Sequence, residues 1–488
     1  MTGTKPLERS SAATQALFRR WVPFALLAAW NGYCAFVHDP SRHELQALLI
    51  ARASSGPLGL FHNLGHEGHP GLWHVLLWAA VRCHDDPLVL NLLQALVAVA
   101  SLALIWLASP FGAVEKTLLS LSYYLAFEYT ITAPGYGLGV VLFFSFVALR
   151  RTAWAWLALG LMANVGIHFI ALAAVFGALL IYRGQRSRIG ISLCVVFVAL
   201  AVTTAFPAPD TIVATQPGGG VLRSALSLAR LSNALVPMDL GWPFGFHWSQ
   251  VCSGCGGLVP VALGAVVLAL GIASLGDAPA LCATFVAAAA VLFLIGAVVY
   301  LGYERHYGLA FVTLIGMHWI ARQESPRRAP SAAFTCWIIV SAAIGIWAAY
   351  GSLQSHGSNG RAAARWLTVH AERDAVVAAF PGWMGIEIAA YLRKDIYNLQ
   401  AQRYQSFVVW NYPADEKPTS GDLLAWLEAA PRTGPLYLVS DADPRASTLD
   451  GAEITRLRTS GVQLDEVERF QAGDGGGYAV YRVRREVQ

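Results

Sequence analysis

Four groups of residues in this 488-residue sequence have the side chains and spacing for chemistry. Two lie early in the chain. Asp39, His43 and Glu44 form the first, and Glu67 among His62, His66 and His69 forms the second, after a Ser-Ser-Gly-Pro break. A carboxylate or a neutral imidazole can take the proton of an attacking hydroxyl, which makes Glu44, His43 and Asp39 candidate bases. The three histidines with Glu67 are also donors of the kind that hold metals, although their spacing matches no strong zinc signature. Polar loop residues carry function only as a tendency, and the same side chains in an aqueous loop need have none.

The third group is Glu128 in Phe-Glu-Tyr-Thr-Ile-Thr-Ala-Pro-Gly-Tyr136, an acid at the end of an apolar run. Its bland reading is an interfacial anchor beside Tyr123, Tyr124, Tyr129 and Tyr136. The fourth is Tyr303-Glu-Arg305-His306-Tyr-Gly. A guanidinium at a helix end can clamp two oxygens of a lipid phosphate, and the bland alternative is an ion pair to Glu304 or to the C-terminal tail. Cys252-Ser-Gly-Cys255 is read as a local disulfide rather than a redox centre, because no thioredoxin-like βαβ pattern surrounds it. Asn164 and His168 are read as packed polar contacts inside a helix.

The elements that position these groups are set by lipid. Hydrophobic residues make up 56% of the chain and charged residues 13%, with a mean hydropathy of +0.50. That balance excludes a chain folded wholly in water. The net charge of +4 carries no long basic run interleaved with aromatics, which argues against nucleic acid as a partner. Runs long enough to span fall near 21–37, 88–108, 117–133, 137–150, 152–165, 166–182, 189–206, 258–276, 280–301, 306–321 and 331–350, about eleven in all. No small-residue cleavage site closes the first run, so it is read as an uncleaved helix.

With the N-terminus in the cytoplasm, most arginine between helices falls inside: Arg150 and Arg151, 183–188, and 322–328. This alternation holds only if 71–83 does not cross. That run is about 13 residues long and carries Trp73, His74 and Trp78, which suits a helix lying on the outer surface. Two large outer loops follow, 38–87 and 207–257. The chain is thus expected to divide into a transmembrane part over 1–351 and a soluble α/β domain over 352–488 outside the cytoplasm. In the latter, strands are predicted over 374–380 and 436–440, helices around 361–370 and 421–430, and a Gly-rich turn at 473–477 before 478–484.

The order of parts resembles the GT-C superfamily of polyprenyl-phosphate-sugar-dependent glycosyltransferases, which includes the protein O-mannosyltransferases and the lipid A aminoarabinose transferases. The likeness covers roughly the first 320 residues. Members carry an acidic pair soon after the first helix, and His43-Glu44 stands in that place, with histidine where the first acid would be. Glu67-Gly-His69-Pro70 resembles the family's acid before a proline that opens an interfacial helix. Glu128-Tyr129 through Tyr136-Gly-Leu-Gly139 resembles the outer end of the third helix, where Pro134 replaces an arginine expected in close bacterial relatives. Arg305-His306-Tyr-Gly308 resembles a later Arg-His element.

The resemblance implies a GT-C-like polytopic fold in a bacterial inner membrane and an inverting transfer of sugar from a polyprenyl-phosphate donor to a lipid, glycan or protein acceptor. Glu44, His43 or Asp39 would be the base. Glu67, Glu128 and Tyr136 would contact sugar or acceptor, and Arg305, His306 and His69 the phosphate side. No cofactor is implied, and a divalent metal is left open because some relatives use one and others do not. A transporter or flippase would also be polytopic, but no inverted repeat or matched pair of Gly/Pro-broken helices is present. A family member reduced to an assembly subunit is the other reading, prompted by His43.

Overall fold

The computed structural model describes residues 6–132, 134–212, 220–235, 237, 258–326, 331–354, 359–412, 419–430, 434–442, 451–471 and 477–485. The expected Cys252–Cys255 disulfide and most of the loop 207–257 lie outside the described residues. The chain forms two compact units: Met1–Val37, Leu92–Val202 and Thr215–Ser352 make the first, and His38–Asn91, Thr203–Ala214 and Leu353–Gln488 make the second. The first outer loop thus folds with the C-terminal tail, a grouping that hydropathy could not disclose.

The first unit is helical. Helices stand at each of the eleven positions where spans are expected. Among the described residues four are long and apolar enough to cross a membrane: Leu88–Ala108, Arg188–Ala205, Pro279–Val299 and Ala332–Gln354. Gly135–Leu149, Trp154–Ala163 and Ile167–Tyr182 are shorter apolar helices. Backbone polar groups have no partner in hydrocarbon, so a lipid-embedded chain satisfies them within helices. The outward faces match that solvent: Leu96, Val196 and Ile189 are 65%, 63% and 77% exposed.

One expected span is not continuous. The run 117–133 is split into a helix over Ala113–Ser120 and a π-helical segment over Tyr124–Thr132. At the break the Leu121–Ser122 backbone lies against the Cα of Gly345, where any Cβ would collide with it. The Tyr123 N–H turns to Ser341 Oγ at 3.3 Å instead of completing an α-helical ladder. The wider turn buries Tyr124, Phe127, Glu128 and Tyr129 together, and such π-helical turns often mark functional sites.

The second unit is built on a six-stranded sheet: β1 (Val376–Phe380), β2 (Ile396–Asn398), β3 (Arg403–Gln405), β4 (Leu436–Asp441), β5 (Val462–Gln471) and β6 (Gly477–Arg485), in the order β3-β2-β1-β4-β6-β5. The central β1 and β4 run parallel and read as near-continuous apolar segments because both faces are covered. Edge strand β5 is part-buried or exposed beyond Val462 and carries Asp465, Glu466, Glu468 and Arg469, charges that discourage edge-to-edge pairing. Helix Ser420–Ala429 is started by a capping box between Thr419 and Asp422 and drives Trp426, fully buried, into the sheet's core with Leu423, Tyr397 and Leu438.

The loop segment packs on this domain. Helix Arg42–Ala53 lies against helix Gly385–Leu392, with Arg52 Nη1 donating to Ala390 O at 3.0 Å and Arg52 Nε 2.6 Å from Asp85. The segment expected on the membrane surface is the 12-residue helix Leu72–Cys83, about 18 Å long at 1.5 Å per residue and so short of a bilayer's hydrocarbon. Trp73 and His74 are buried within the unit, while Trp78 Nε1 donates to Ser54 O at 3.1 Å.

Candidate functional site

Within the first unit four of the residues singled out above come together. Glu128, buried to 3% exposure on the π-helical turn, accepts a hydrogen bond from Tyr123 Oη at 3.1 Å and has its Oε1 3.8 Å from Arg305 Nε. The Tyr129 hydroxyl, on the next residue, donates to the Arg305 carbonyl at 2.7 Å across 176 positions of sequence. The Arg305 guanidinium also lies 5.4 Å over the Tyr303 ring. The partner of Arg305 is therefore Glu128 rather than the tail.

Beside this pair stands an aromatic wall. The His306 and His168 rings stack at 4.5 Å and 11°, Tyr136 meets His306 edge-on at 5.4 Å, and the Tyr136 hydroxyl is 3.1 Å from His168 Nδ1. His306 is oriented from behind, its Nδ1 accepting the Tyr303 N–H at 2.7 Å. Gly302, at φ +69°, permits that turn: the conformation disfavours other residues, and a Cβ there would enter the His306 ring. Glu128, Tyr136, His168, Arg305 and His306 all lie at helix ends that the arginine bias assigns to the outer side. Asn164 is a packing residue as expected, its Nδ2 bonded to Gly160 O and Phe197 O. His168 is one too, 3% exposed, bonded to Tyr136 and stacked on His306, although a lone histidine in an apolar helix gave no signal of which partners it would join.

Arg305 contrasts with Arg322 in the same unit. Arg322 makes two parallel bonds of 2.6 Å to Glu115, is 7% exposed and is flanked by Phe111 and Phe334. Its donors are spent on structure. The Arg305 side chain is 20% exposed and reaches Glu128 only at 3.8 Å, so its fork of donors is not consumed by that carboxylate.

The second unit holds the early acids. Glu44 is the third residue of helix Arg42–Ala53, and its Oε2 accepts the Ser41 N–H at 2.8 Å to close a capping box. The same oxygen is 3.2 Å from His38 Nε2. Glu44 is 5% exposed, and its Oε1 accepts no hydrogen bond among the described residues. Asp39 accepts from the Tyr391 hydroxyl at 3.3 Å, and burial pushes its carboxyl up against the opposing pull of Arg361 and His38. His43 and His69 are exposed. Arg42 stacks 4.1 Å over Trp383 and lies 3.6 Å from Glu387, tying the start of this helix to the C-terminal domain.

Glu67 has a different environment from Glu44. Gln46 bridges it to the domain: Gln46 Nε2 donates to Glu67 Oε1 and to Val408 O, both at 2.7 Å, while Val408 N–H donates to Gln46 Oε1 at 3.0 Å. Burial pushes the Glu67 carboxyl up to about 7, in spite of hydrogen bonds from Gln46 and Trp410 that favour the charged form. His66 pairs with Asp210 at 3.0 Å, and no grouping of three His, Cys, Asp or Glu able to hold a metal forms among the described residues.

A carboxyl whose folded value is raised binds its proton more tightly when folded, so the stability it contributes is present at low pH and is lost as pH rises. Between the ordinary carboxyl value and 7 that loss amounts to at most about 3 kcal/mol. Glu67→Gln keeps the acceptor that Gln46 uses and removes the titration. The thermal midpoint of the variant should match wild type near pH 4, exceed it by a margin that widens from pH 5 to 7, and keep that margin above pH 7. Parallel pH profiles would contradict this environment for Glu67.

The fold is similar to that of the crystal structure of ArnT from Cupriavidus metallidurans in the apo state, with a TM-score of 0.55 over 96% of this chain and 98% of that one, at 13% sequence identity. No model of a protein family matches the sequence, and no curated protein matches it. The fold shared with that structure and the four helices long and apolar enough to cross a bilayer support a multi-pass membrane protein.

Proposed function

We propose that this chain is a membrane glycosyltransferase that moves a sugar from a polyprenyl phosphate to a lipid, glycan or protein acceptor at the outer face of a bacterial inner membrane. The observation that carries the reading is the gathering of Glu128, Arg305, His306 and Tyr136 from distant parts of the chain, with the arginine's donors held in place but not consumed. The ArnT-like fold and the resemblance of the same residues to GT-C motifs support it.

In this reading Arg305 clamps the phosphate of the donor, and the stacked histidines with Tyr136 form the wall against which the phosphate-linked sugar rests. The acceptor hydroxyl attacks the anomeric carbon opposite the phosphate. A new C–O bond forms, the bond to phosphate oxygen breaks, and polyprenyl phosphate leaves with the electron pair while charge develops on the phosphate beside Arg305. Glu44 takes the acceptor's proton on Oε1, its other oxygen being fixed by the helix cap and His38. Asp39 is an alternative base and Glu67 a further contact of the acceptor side, with the soluble domain over 352–488 outside the cytoplasm.

The test is mass spectrometry of envelope lipids and polysaccharides from a strain lacking the gene, complemented with wild type or Glu44→Gln. One sugar substituent should vanish on deletion and return only with wild type. An envelope unchanged by deletion would reject the transferase, and full rescue by Glu44→Gln would reject Glu44 as base and favour an assembly subunit.

A further inference from the structure

At the opposite ends of the same helices, the first unit carries an open cavity of about 510 Å³ lined by Arg150, Arg151, Arg183 and Glu324. All four belong to loops that the arginine bias assigns to the cytoplasmic side. Three guanidinium groups against one carboxylate leave an excess of two positive charges around it. The chain accounts for only part of their bonding. Arg183 Nη1 is 2.8 Å from Glu324 Oε1 at a half-exposed position. Arg150 is 9% exposed, and its Nη1 donates to Val147 O and to Gln323 Oε1. Its Nη2, also buried, has no hydrogen-bond partner among the described residues.

An unpartnered buried guanidinium donor is costly, because its hydration is lost without a replacement bond. Two further arginines crowd the same cavity and repel it. An anion with several oxygens offsets the repulsion among the three guanidinium groups, and a phosphate ester does so best, since the planar fork of arginine matches its oxygens. Apart from Gln185 the remaining wall is apolar, with Phe146, Leu180, Leu281 and Ile320 among its residues. The volume exceeds that of a bare phosphate several-fold and suits a headgroup with the start of its acyl chains.

We propose that this basic cavity is a second binding site, separate from the transfer site, for a phosphate ester, and that its occupant is the headgroup of an anionic phospholipid of the cytoplasmic leaflet. Basic pockets between membrane helices on that side provide the general setting for such recognition. Glu324 competes with the lipid for Arg183, so the site is partly closed by its own chain when empty. The proposal does not depend on the transferase reading, and its test uses binding alone.

The full-length protein is reconstituted in nanodiscs of phosphatidylcholine, and its thermal midpoint and retained lipids by native mass spectrometry are followed as phosphatidylglycerol is added, with inorganic phosphate as a separate arm. Phosphatidylglycerol should raise the midpoint and stay bound, whereas inorganic phosphate up to millimolar levels should not. Replacing the exposed Arg151 by glutamine, which leaves the Arg150 contacts intact, should weaken lipid retention by about tenfold. Glu324→Gln should strengthen it, the reverse of what loss of a merely structural ion pair would do. Equal stabilisation by inorganic phosphate would assign the site to a free anion and overturn the lipid. No preference for phosphatidylglycerol over phosphatidylcholine, or weaker retention in Glu324→Gln, would overturn the site itself.

Discussion

Glu128→Gln lowers sugar transfer by about 10²–10³-fold while leaving the protein at wild-type level in the membrane, the scale of losing the preorganised contact of Arg305, which Glu128 aims, to a developing charge. The glutamine is isosteric and its oxygen still accepts from Tyr123, so the buried turn Tyr124–Thr132 keeps its packing. What it loses is the charge 3.8 Å from Arg305 Nε. Arg305 is then no longer aimed by an opposing carboxylate, and the phosphate it faces gains charge during the reaction without a fixed counter-charge. The rate of product formation, normalised to protein measured by immunoblot, reads the effect. Transfer within twofold of wild type would remove Glu128 and Arg305 from the site.

Arg322→Met has the second large effect, and it falls on stability. Its two 2.6 Å bonds to Glu115 lie in a buried pocket beside Phe111 and Phe334. Removing one member of such a pair leaves the other charge uncompensated, which costs about 3–5 kcal/mol. The variant should show a lowered thermal midpoint in detergent and poor accumulation, and the double variant Arg322→Met/Glu115→Leu should recover most of the loss, because an apolar pair of similar volume needs no compensation. Failure of the double variant to recover would mean that Glu115 or Arg322 serves something besides the pair. The contrast with Glu128 separates the two Arg–Glu pairs of this unit: one holds helices together, and the other holds an arginine ready.

Hydropathy disclosed where helices stand because a lipid-facing helix writes its solvent into every residue, as in Leu88–Ala108. It could not disclose the break before Tyr124, which depends on Gly345 and Ser341 more than two hundred positions away. The parallel strands β1 and β4 were legible as apolar runs, whereas β2 and β3, three residues each, carry too little pattern to separate from loop. The joining of the first loop to the tail was illegible for the same reason as the break: Gln46 meets Val408 across 362 positions, and a single glutamine leaves no local trace of that. Within the site, the types of Glu128, Tyr136, Arg305 and His306 were informative and their proximity was not. Glu44 shows the converse limit. Its capping role was implicit in Ser41 followed three residues later by an acid, and Glu44→Ala would therefore disturb the helix as well as the chemistry, which makes Glu44→Gln the cleaner variant.

The central claim is that sugar leaves a polyprenyl phosphate on this protein. Purified wild type and Glu128→Gln, each in nanodiscs, are incubated with the membrane lipid extract of the deletion strain, and liquid chromatography with mass spectrometry follows every polyprenyl-phosphate species. Wild type should consume one polyprenyl-phosphate sugar, release an equal amount of polyprenyl phosphate and add the sugar's mass to one acceptor, and Glu128→Gln should do so at least about a hundredfold more slowly. Consumption of no polyprenyl-phosphate sugar by wild type, or equal consumption by the two proteins, would contradict that claim.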